Sequence, residues 1–446
     1  MKKVLFLISV AMLVLGSCRK DDDTSELDLE LESLLIDLAD GNGLAFFTFP
    51  ASTELTKIPQ DPKNPLTTAK IELGKLLFHE TATGVNPVKA FSKGTYSCAS
   101  CHFAAAGFQA GRFQGIGEGG IGIGPHGEAR QRGPLYTADD LDVQPVRSPS
   151  ALNIAYQTNI LWNGQFGATG VNTGLDYAFT PGTPKETNTL GFEGVETQAI
   201  AGQKVHRLDM TAALAEELGY KAMFDAAFPD VPVADRYTKI TAGLAIAAYE
   251  RTIFSQEAPF QKWLKGQKNA MNEQEKRGAI LFFDKAKCAE CHTGPALNSM
   301  EFYGIGMGDL FDCPEEIFKA NAGQSDHLGR GGFTGKAEDK YKFKVPQLYN
   351  MSDSPFFGHG SSLRTIRDVV VYKNRAVKEN ARVPDAQLAE EFVPLNLTNA
   401  EIDDITAFLK HALYDPDLKR YQPSSVKSGN CIPNNDPMSR TQLGCD

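Results

Sequence analysis

The chain has 446 residues, 42% hydrophobic and 22% charged, with 41 Gly and 24 Pro; collagen-like and wholly disordered chains are excluded, and the length suits two or three domains with cores of their own. Lys and Arg number 45 against 55 Asp and Glu, a net charge of −10, which argues against nucleic acid, whose phosphates need a basic surface, and favours basic partners. Eight cysteines are too sparse for a disulfide scaffold, so their positions carry the information.

In chain order, Lys2 and Lys3 precede an apolar run from Val4 to Leu15 that is too short to span a bilayer and suits a signal-peptide core. It ends in Leu15-Gly16-Ser17-Cys18, which resembles a bacterial lipoprotein signal. Residues 1–18 therefore read as an address, with a lipidated Cys18 holding the protein on the non-cytoplasmic side of a membrane, in the periplasm or at the cell surface. Residues 19–55 read as an acidic tether and lead-in, because the acidic run through Glu32 looks solvated.

A helix is predicted over Ala69 to Phe78, just before Cys98-Ala99-Ser100-Cys101-His102. The same pattern returns as Cys288-Ala289-Glu290-Cys291-His292. Cys-x-x-Cys-His is the covalent c-type haem attachment pattern: two thiols reach the two vinyl groups and the adjacent His offers a nitrogen to iron. This composition would produce roughly 0.003 such matches by chance. A tetrathiolate zinc site would need both cysteine pairs together and has no use for the histidines. A thioredoxin-like pair would lack them.

Nine of the 21 residues from Gly107 to Gly127 are glycine, including a formal Gly115-x-Gly117-x-x-Gly120 fingerprint. No strand precedes it and no helix pattern follows, so it is not read as a nucleotide loop. A second helix is predicted from Tyr237 to Phe254, with Ile240, Leu244, Ala247 and Ile253 on one face. The stretch 255–270 is the expected boundary between two units. Asn272 with Glu275 looks like a cap opening a helix into the second motif, and Thr398 with Glu401 is a capping box before Ile402, Ile405, Phe408, Leu409 and Leu413. Cys431 and Cys445, in a Pro/Asn/Gly-rich tail, are expected to form a disulfide, and Cys313 to be a buried thiol. The fold class is mainly α: two cytochrome c-like helical haem domains with long loops, over 56–265 and 266–425, followed by the tail 426–446.

From about Pro65 to Leu413 the sequence resembles the bacterial di-haem cytochrome c peroxidase family, which includes the MauG branch. The resemblance is carried by Leu73-Gly74-Lys75-Leu76-Leu77-Phe78, Arg147-Ser148-Pro149-Ser150-Ala151-Leu152-Asn153, Trp162-Asn163-Gly164, Ala248-Tyr249-Glu250-Arg251-Thr252 and Lys342-Phe343-Lys344-Val345-Pro346. It implies two covalent haems: a peroxidatic one on Cys98, Cys101 and His102, and a relay on Cys288, Cys291 and His292, with Trp162 between them. Gln198 and Asp209-Met210 resemble the family's distal Gln and Glu-Met, although the acid is one carbon shorter and about 26 extra residues separate Trp162 from Gln198. Glu196 and His206 are the nearest substitutes for that acid. His126 alone falls in the loop that carries the family's movable distal His. The relay ligand, usually Met, falls at Tyr372 or Lys373. Tyr there resembles MauG, so Tyr372 is the candidate, with Met351 and Met307 as alternatives. An inter-domain calcium is implied, yet Arg147 or Ser148 stands where its Asn ligand is expected.

The activity so implied is reduction of hydrogen peroxide to water with electrons from a small cytochrome c or cupredoxin. The alternatives are a MauG-like oxidase of an organic or protein substrate, and a membrane-tethered di-haem electron carrier. The resemblance also implies a homodimer.

Overall fold

The computed structural model describes residues 24–445; the signal segment and Cys18 lie outside them. Within that range the protein is helix-rich with little sheet. The helices that organise it are α1 (Glu26–Leu38), α2 (Thr68–His79), α3 (Gly194–Val205), α4 (Lys239–Glu250), α5 (Pro259–Leu264), α6 (Glu273–Phe283), α7 (Ile366–Arg375), α8 (Asn399–Ala407) and α9 (Pro437–Leu443). Two short antiparallel pairs join β1 (Gly120–Ile121) to β2 (Gln131–Arg132) and β3 (Phe302–Tyr303) to β4 (Phe343–Lys344).

The acidic run expected as a solvated tether is instead a docked helix from Glu26 onward. Ser25 and Asp28 form a capping box at the start of α1, and Leu31 and Leu35 are fully buried, each contributing about 1.5–3 kcal/mol. Asp28 is buried too: its Oδ1 accepts from Trp263 Nε1 at 2.6 Å and from Lys276 Nζ at 2.7 Å. A charge count over 19–32 cannot foresee partners more than 200 residues away.

Two helix crossings repeat one design. A Cβ on Gly74 of α2 would come within 1.8 Å of the Ala245 carbonyl oxygen on α4, and a Cβ on Gly278 of α6 within 2.0 Å of that of Asp404 on α8. In each crossing glycine lets the helix ahead of an attachment motif lie directly on a later helix. Thr238 and Thr398 cap α4 and α8, and Asn272 with Glu275 boxes α6. α4 is shorter than the 237–254 expected. Ile240, in its first turn, is exposed, so the apolar face starts at Leu244.

The stretch 255–270 does not separate the core into two. It carries α5, whose Trp263 is fully buried, and one apolar cluster runs from Leu31 through Leu77, Trp263 and Phe283 to Leu413. The glycine-rich stretch wraps a buried arginine. Arg130 donates to the carbonyls of Ile116 and Gly117 at 2.6 and 2.7 Å, and a Cβ on Gly120 would meet its Nε at 2.5 Å. The tail closes on the same loop. Cys431 and Cys445 are joined in a disulfide, Arg130 pairs with Asp436, and Ser97 Oγ donates to the Pro433 carbonyl.

Candidate active site

Each Cys-x-x-Cys-His segment folds into the same local unit. Cys98–Ser100 and Cys288–Glu290 are single 3-10 turns. The chain then reverses through the bridges Phe103–Gln109 and Thr293–Asn298 and passes a residue with positive φ, Phe108 at 53° and Leu297 at 48°. That kink aims a carbonyl back at the histidine: His102 Nδ1 lies 3.1 Å from the Phe108 oxygen and His292 Nδ1 2.9 Å from that of Leu297. Burial holds both imidazoles neutral, pushing each pKa down to about 4. A neutral ring donating through Nδ1 presents Nε2 as a lone pair, the form in which imidazole binds metal.

The cysteines fit covalent attachment better than thiolate chemistry. Cys98, Cys101, Cys288 and Cys291 are free thiols. Burial pushes all four up, Cys101 and Cys288 to about 12. Cys98, Cys101, His102, Cys288, Cys291 and His292 all retain accessible surface. Phe78 and Phe282 stand against the two histidines, with ring centroids at 6.3 and 6.4 Å. Among the described residues no three His, Cys, Asp or Glu side chains converge as a metal cluster, so the cysteine pairs do not form one zinc site. The donor sets fit two separate haems.

Around the first motif, α3 presents a polar face. A Cβ on Gly202 would meet Gln198 Nε2 at 3.3 Å and His206 Cδ2 at 3.8 Å, which puts Gln198 and His206 on one side of the helix and its cap. His206 Nδ1 bonds Asp142, and the carboxylate raises the imidazole pKa against the burial that lowers it. His206 is close enough to His102 to depress the latter's protonation, and Asp142 close enough to Cys101 to raise that thiol. A Cβ on Gly117 would come within 2.2 Å of Asp142 Oδ2, so glycine admits the carboxylate.

Asp209 stands elsewhere. It is half-buried, pairs with Lys239 at 3.3 Å and accepts from Asn86 Nδ2 at 3.3 Å. Met210 is buried beside Leu77, Ala242 and Ile246. Glu196 is taken up by a bidentate pair with buried Arg251, at 2.9 and 2.6 Å. His126 is exposed, with Nδ1 2.7 Å from the Ala105 carbonyl oxygen.

Trp162 Nε1 donates to the Arg147 carbonyl at 2.8 Å, its own carbonyl accepts from Lys344 N at 2.7 Å, and its ring lies 6.4 Å from His359. It thus joins segments that follow the first motif to segments that follow the second. Arg147 is buried, donating to Gln109 Oε1 at 2.7 Å and Ser354 Oγ at 2.5 Å. A buried guanidinium where a calcium ligand is expected does not fit a cation. Lys344 is buried on Gln157, and burial pushes its amine down to about 7.

Near the second motif, the Tyr372 hydroxyl donates to the Ile305 carbonyl at 2.5 Å, and burial raises the phenol. Its neighbour Lys373 lies close enough to Cys288, Cys291 and His292 to affect the protonation of all three. Asp142 stands among the exposed-looking acids of 139–142, and no local sequence signal marks it. Glu250, quoted in the Ala248–Thr252 segment without a role of its own, is a buried acid near Cys98 with Oε2 unpartnered and a pKa that burial pushes up to about 8.

The profile described as "Di-haem cytochrome c peroxidase" matches residues 68–269. The chain is 27% identical over 362 residues to methylamine utilization protein MauG of Methylorubrum extorquens, covering 80% of this chain and 82% of that one. It is 28% identical over 368 residues to cytochrome c peroxidase Ccp of Escherichia coli, covering 82% and 62%. To cytochrome c551 peroxidase of Nitrosomonas europaea it is 27% identical over 369 residues, covering 82% and 86%. Among solved structures, a MauG-like protein associated with microbial copper homeostasis shares the fold, with a TM-score of 0.56 at 23% identity over 83% of this chain and 95% of that one.

Proposed function

We propose that the chain is a member of the di-haem cytochrome c peroxidase family, whose profile and relatives it matches, and that it reduces hydrogen peroxide to water with electrons from a small cytochrome c or cupredoxin. The observation that carries this reading is the repeated attachment unit, which presents a neutral His102 and a neutral His292 beside paired free thiols. We assign one c-type haem to Cys98, Cys101 and His102 and the other to Cys288, Cys291 and His292, each in a cytochrome c-like unit. Bound there, haem supplies the redox-active iron at which the O–O bond is reduced.

Residues of this chain manage the protons. Reduction of one peroxide consumes two electrons and two protons and yields two waters. His206, oriented by Asp142, is the group we assign to take the proton from the incoming peroxide and return it to the departing oxygen, with Gln198 holding the ligand by a hydrogen bond. This role replaces the one expected for Asp209, whose carboxylate is held by Lys239 and Asn86. To Trp162, which bonds Arg147 and lies beside His359, we assign the passage of electrons between the two haem regions.

A second reading, MauG-like oxidation of an organic or protein substrate, is favoured by one feature. Neither Tyr372 nor Lys373 is the soft thioether expected at the relay position, and a hard ligand would lower that iron's potential. For location, we propose export and lipidation at Cys18; among the described residues no helix is long and apolar enough to cross a membrane.

The test is stopped-flow mixing of matured protein, peroxide and a ferrous basic cytochrome c, with the enzyme fully oxidised or pre-reduced by one electron. Rapid donor oxidation, slowing as salt screens the −10 protein, supports the peroxidase. A donor spared in both states while an oxidised haem spectrum persists would favour the MauG-like reaction. Indifference to both peroxide and cyanide would leave an electron carrier.

A further inference from the structure

Four arginines are buried among the described residues, and three of them have company for their charge. Arg251 pairs with Glu193 and Glu196, Arg130 pairs with Asp436, and Arg330 lies over the rings of Phe302 and Phe333. Arg147 has neither a carboxylate nor an aromatic face among the described residues. Its donors reach neutral oxygens only: Nη1 bonds Gln109 Oε1 at 2.7 Å and Nη2 bonds Ser354 Oγ at 2.5 Å, each with one more distant carbonyl, of Ser148 or Ala110, at 3.4 Å. The Nε–H is buried and bonds nothing. Burial pushes the guanidinium down to about 9 and no acid raises it back, so it is still a cation at neutral pH. A buried charge without a counter-charge is costly, and an orphaned N–H adds to that cost.

The place of Arg147 points to the partner it suits. Gln109 and Ala110 follow Phe108, whose carbonyl faces His102. A Cβ on Gly115 would lie 2.8 Å from Ser148 Oγ and 3.2 Å from Cys101 Sγ, which brings the residue after Arg147 beside an attachment thiol. The main chain reaches the other way. Arg147 N–H donates to the His359 carbonyl at 2.9 Å, and the Arg147 carbonyl accepts from Trp162 Nε1 at 2.8 Å. The cation thus stands beside the first attachment unit, where segments that follow the second meet it. Haem bound there brings propionate carboxylates, the anions that a planar guanidinium binds best.

We propose that Arg147 is the protein's own fixed cation for a propionate of bound haem, and that it stands in for the inter-domain calcium, which this chain does not bind. The propionate contact rests on the haem assignment made above. A calcium ion needs six to eight oxygen ligands, whereas a guanidinium brings the positive charge on a side chain and aims its donors. A propionate paired with that charge leaves less negative potential at the iron than a bare one, so the pair favours the ferrous state and holds that haem's midpoint up. Because its carbonyl also holds Trp162, Arg147 is a positioning residue for the indole between the two haem regions.

The experiment uses the matured holoprotein and its R147K and R147Q variants. Intact mass and the pyridine haemochrome count haems, and a thermal melt checks the fold. Resonance Raman reads the propionate bending modes, which move with the hydrogen bonds a propionate accepts, and a redox titration reads each midpoint. R147Q is expected to shift the propionate mode of one haem of the two and to lower the midpoint of that haem. R147K keeps the charge without the planar fork, so it should alter the mode and hold the midpoint near the parent's. In the parent, metal analysis should find no stoichiometric calcium, and a calcium chelator should leave modes and midpoints in place. Unmoved modes and midpoints in both variants, as expected if Arg147 only braces Gln109 and Ser354, would overturn the propionate contact. Equal shifts at both haems would mark a general distortion and overturn it too. One calcium per chain, or a chelator effect, would overturn the substitution for calcium. A parent mass lacking a haem would overturn the haem assignment itself, whatever the variants do. Should R147Q fail to mature, R147K and the chelator still decide the two parts.

Discussion

Asp142 accepts from His206 Nδ1 at 3.1 and 3.0 Å through its two carboxylate oxygens, and each partner biases the other's protonation. The imidazole is raised above its ordinary 6.5, where burial alone would lower it, and the carboxylate is held below its ordinary 3.8. The stabilisation from His206 is complete below pH 6.5 and is lost as pH rises through the raised value. That from Asp142 is present above pH 3.8 and lost as pH falls. The pair therefore stabilises most between those limits. Asp142→Asn should cost about 1–3 kcal/mol near pH 5.5 and move the His206-dependent limb of the pH profile for cyanide binding to lower pH. An unmoved limb would remove His206 from the peroxide site.

Glu250 gives a pH dependence opposite in sign to that of Asp142 and the same in sign as that of His206. Its carboxyl is buried with Oε2 unpartnered and its pKa is pushed from 4.5 up to about 8. Its contribution is complete below pH 4.5 and is lost as pH rises toward 8, at about 1.4 kcal/mol per unit over that interval. Glu250→Gln should flatten this slope with little effect at pH 5. Denaturant titrations of both proteins at pH 5 and 7.5 measure the difference.

Docking of α1 can be tested at Asp28. Asp28→Ala removes the acceptor for Trp263 Nε1 and leaves Lys276, whose side chain is 7% exposed, without its counter-ion. Breaking a buried pair from one side costs about 3–5 kcal/mol. A thermal midpoint within a degree of the parent's would show that the helix contributes nothing to the core.

The two glycine crossings predict matched defects. Gly74→Ala and Gly278→Ala place a methyl against the carbonyls of Ala245 and Asp404, and each should destabilise by about 1–3 kcal/mol or more. The haem content should fall at the adjacent motif first, Cys98–His102 for Gly74→Ala and Cys288–His292 for Gly278→Ala. Peptide mass mapping of attached haem distinguishes the two.

What was readable in the sequence is what is local. Each Cys-x-x-Cys-His unit is five residues long, and the boxes at Asn272 and Thr398 need four, so α6 and α8 start where expected. The chemistry around the motifs was less legible because it depends on distant partners. Asp209 looked like the distal acid by its place after Gln198, yet Lys239 and Asn86 hold it, and the carboxylate beside His206 comes from position 142. The acidic run near Glu26 read as solvated because Trp263 and Lys276 lie far down the chain. Tyr372 and Lys373 could not be told apart by spacing, since one residue of register changes which side chain a helix turns inward.

The tail has a consequence for the first attachment turn. Pro433, Asn434 and Asp436 lie against Ser97, Ser100 and Arg130, and the Cys431–Cys445 bond ties that stretch of tail into one loop. The turn at Cys98 is therefore latched by residues more than 300 positions away, and removing residues 431–445 would strip Ser97, Ser100 and Arg130 of those partners together.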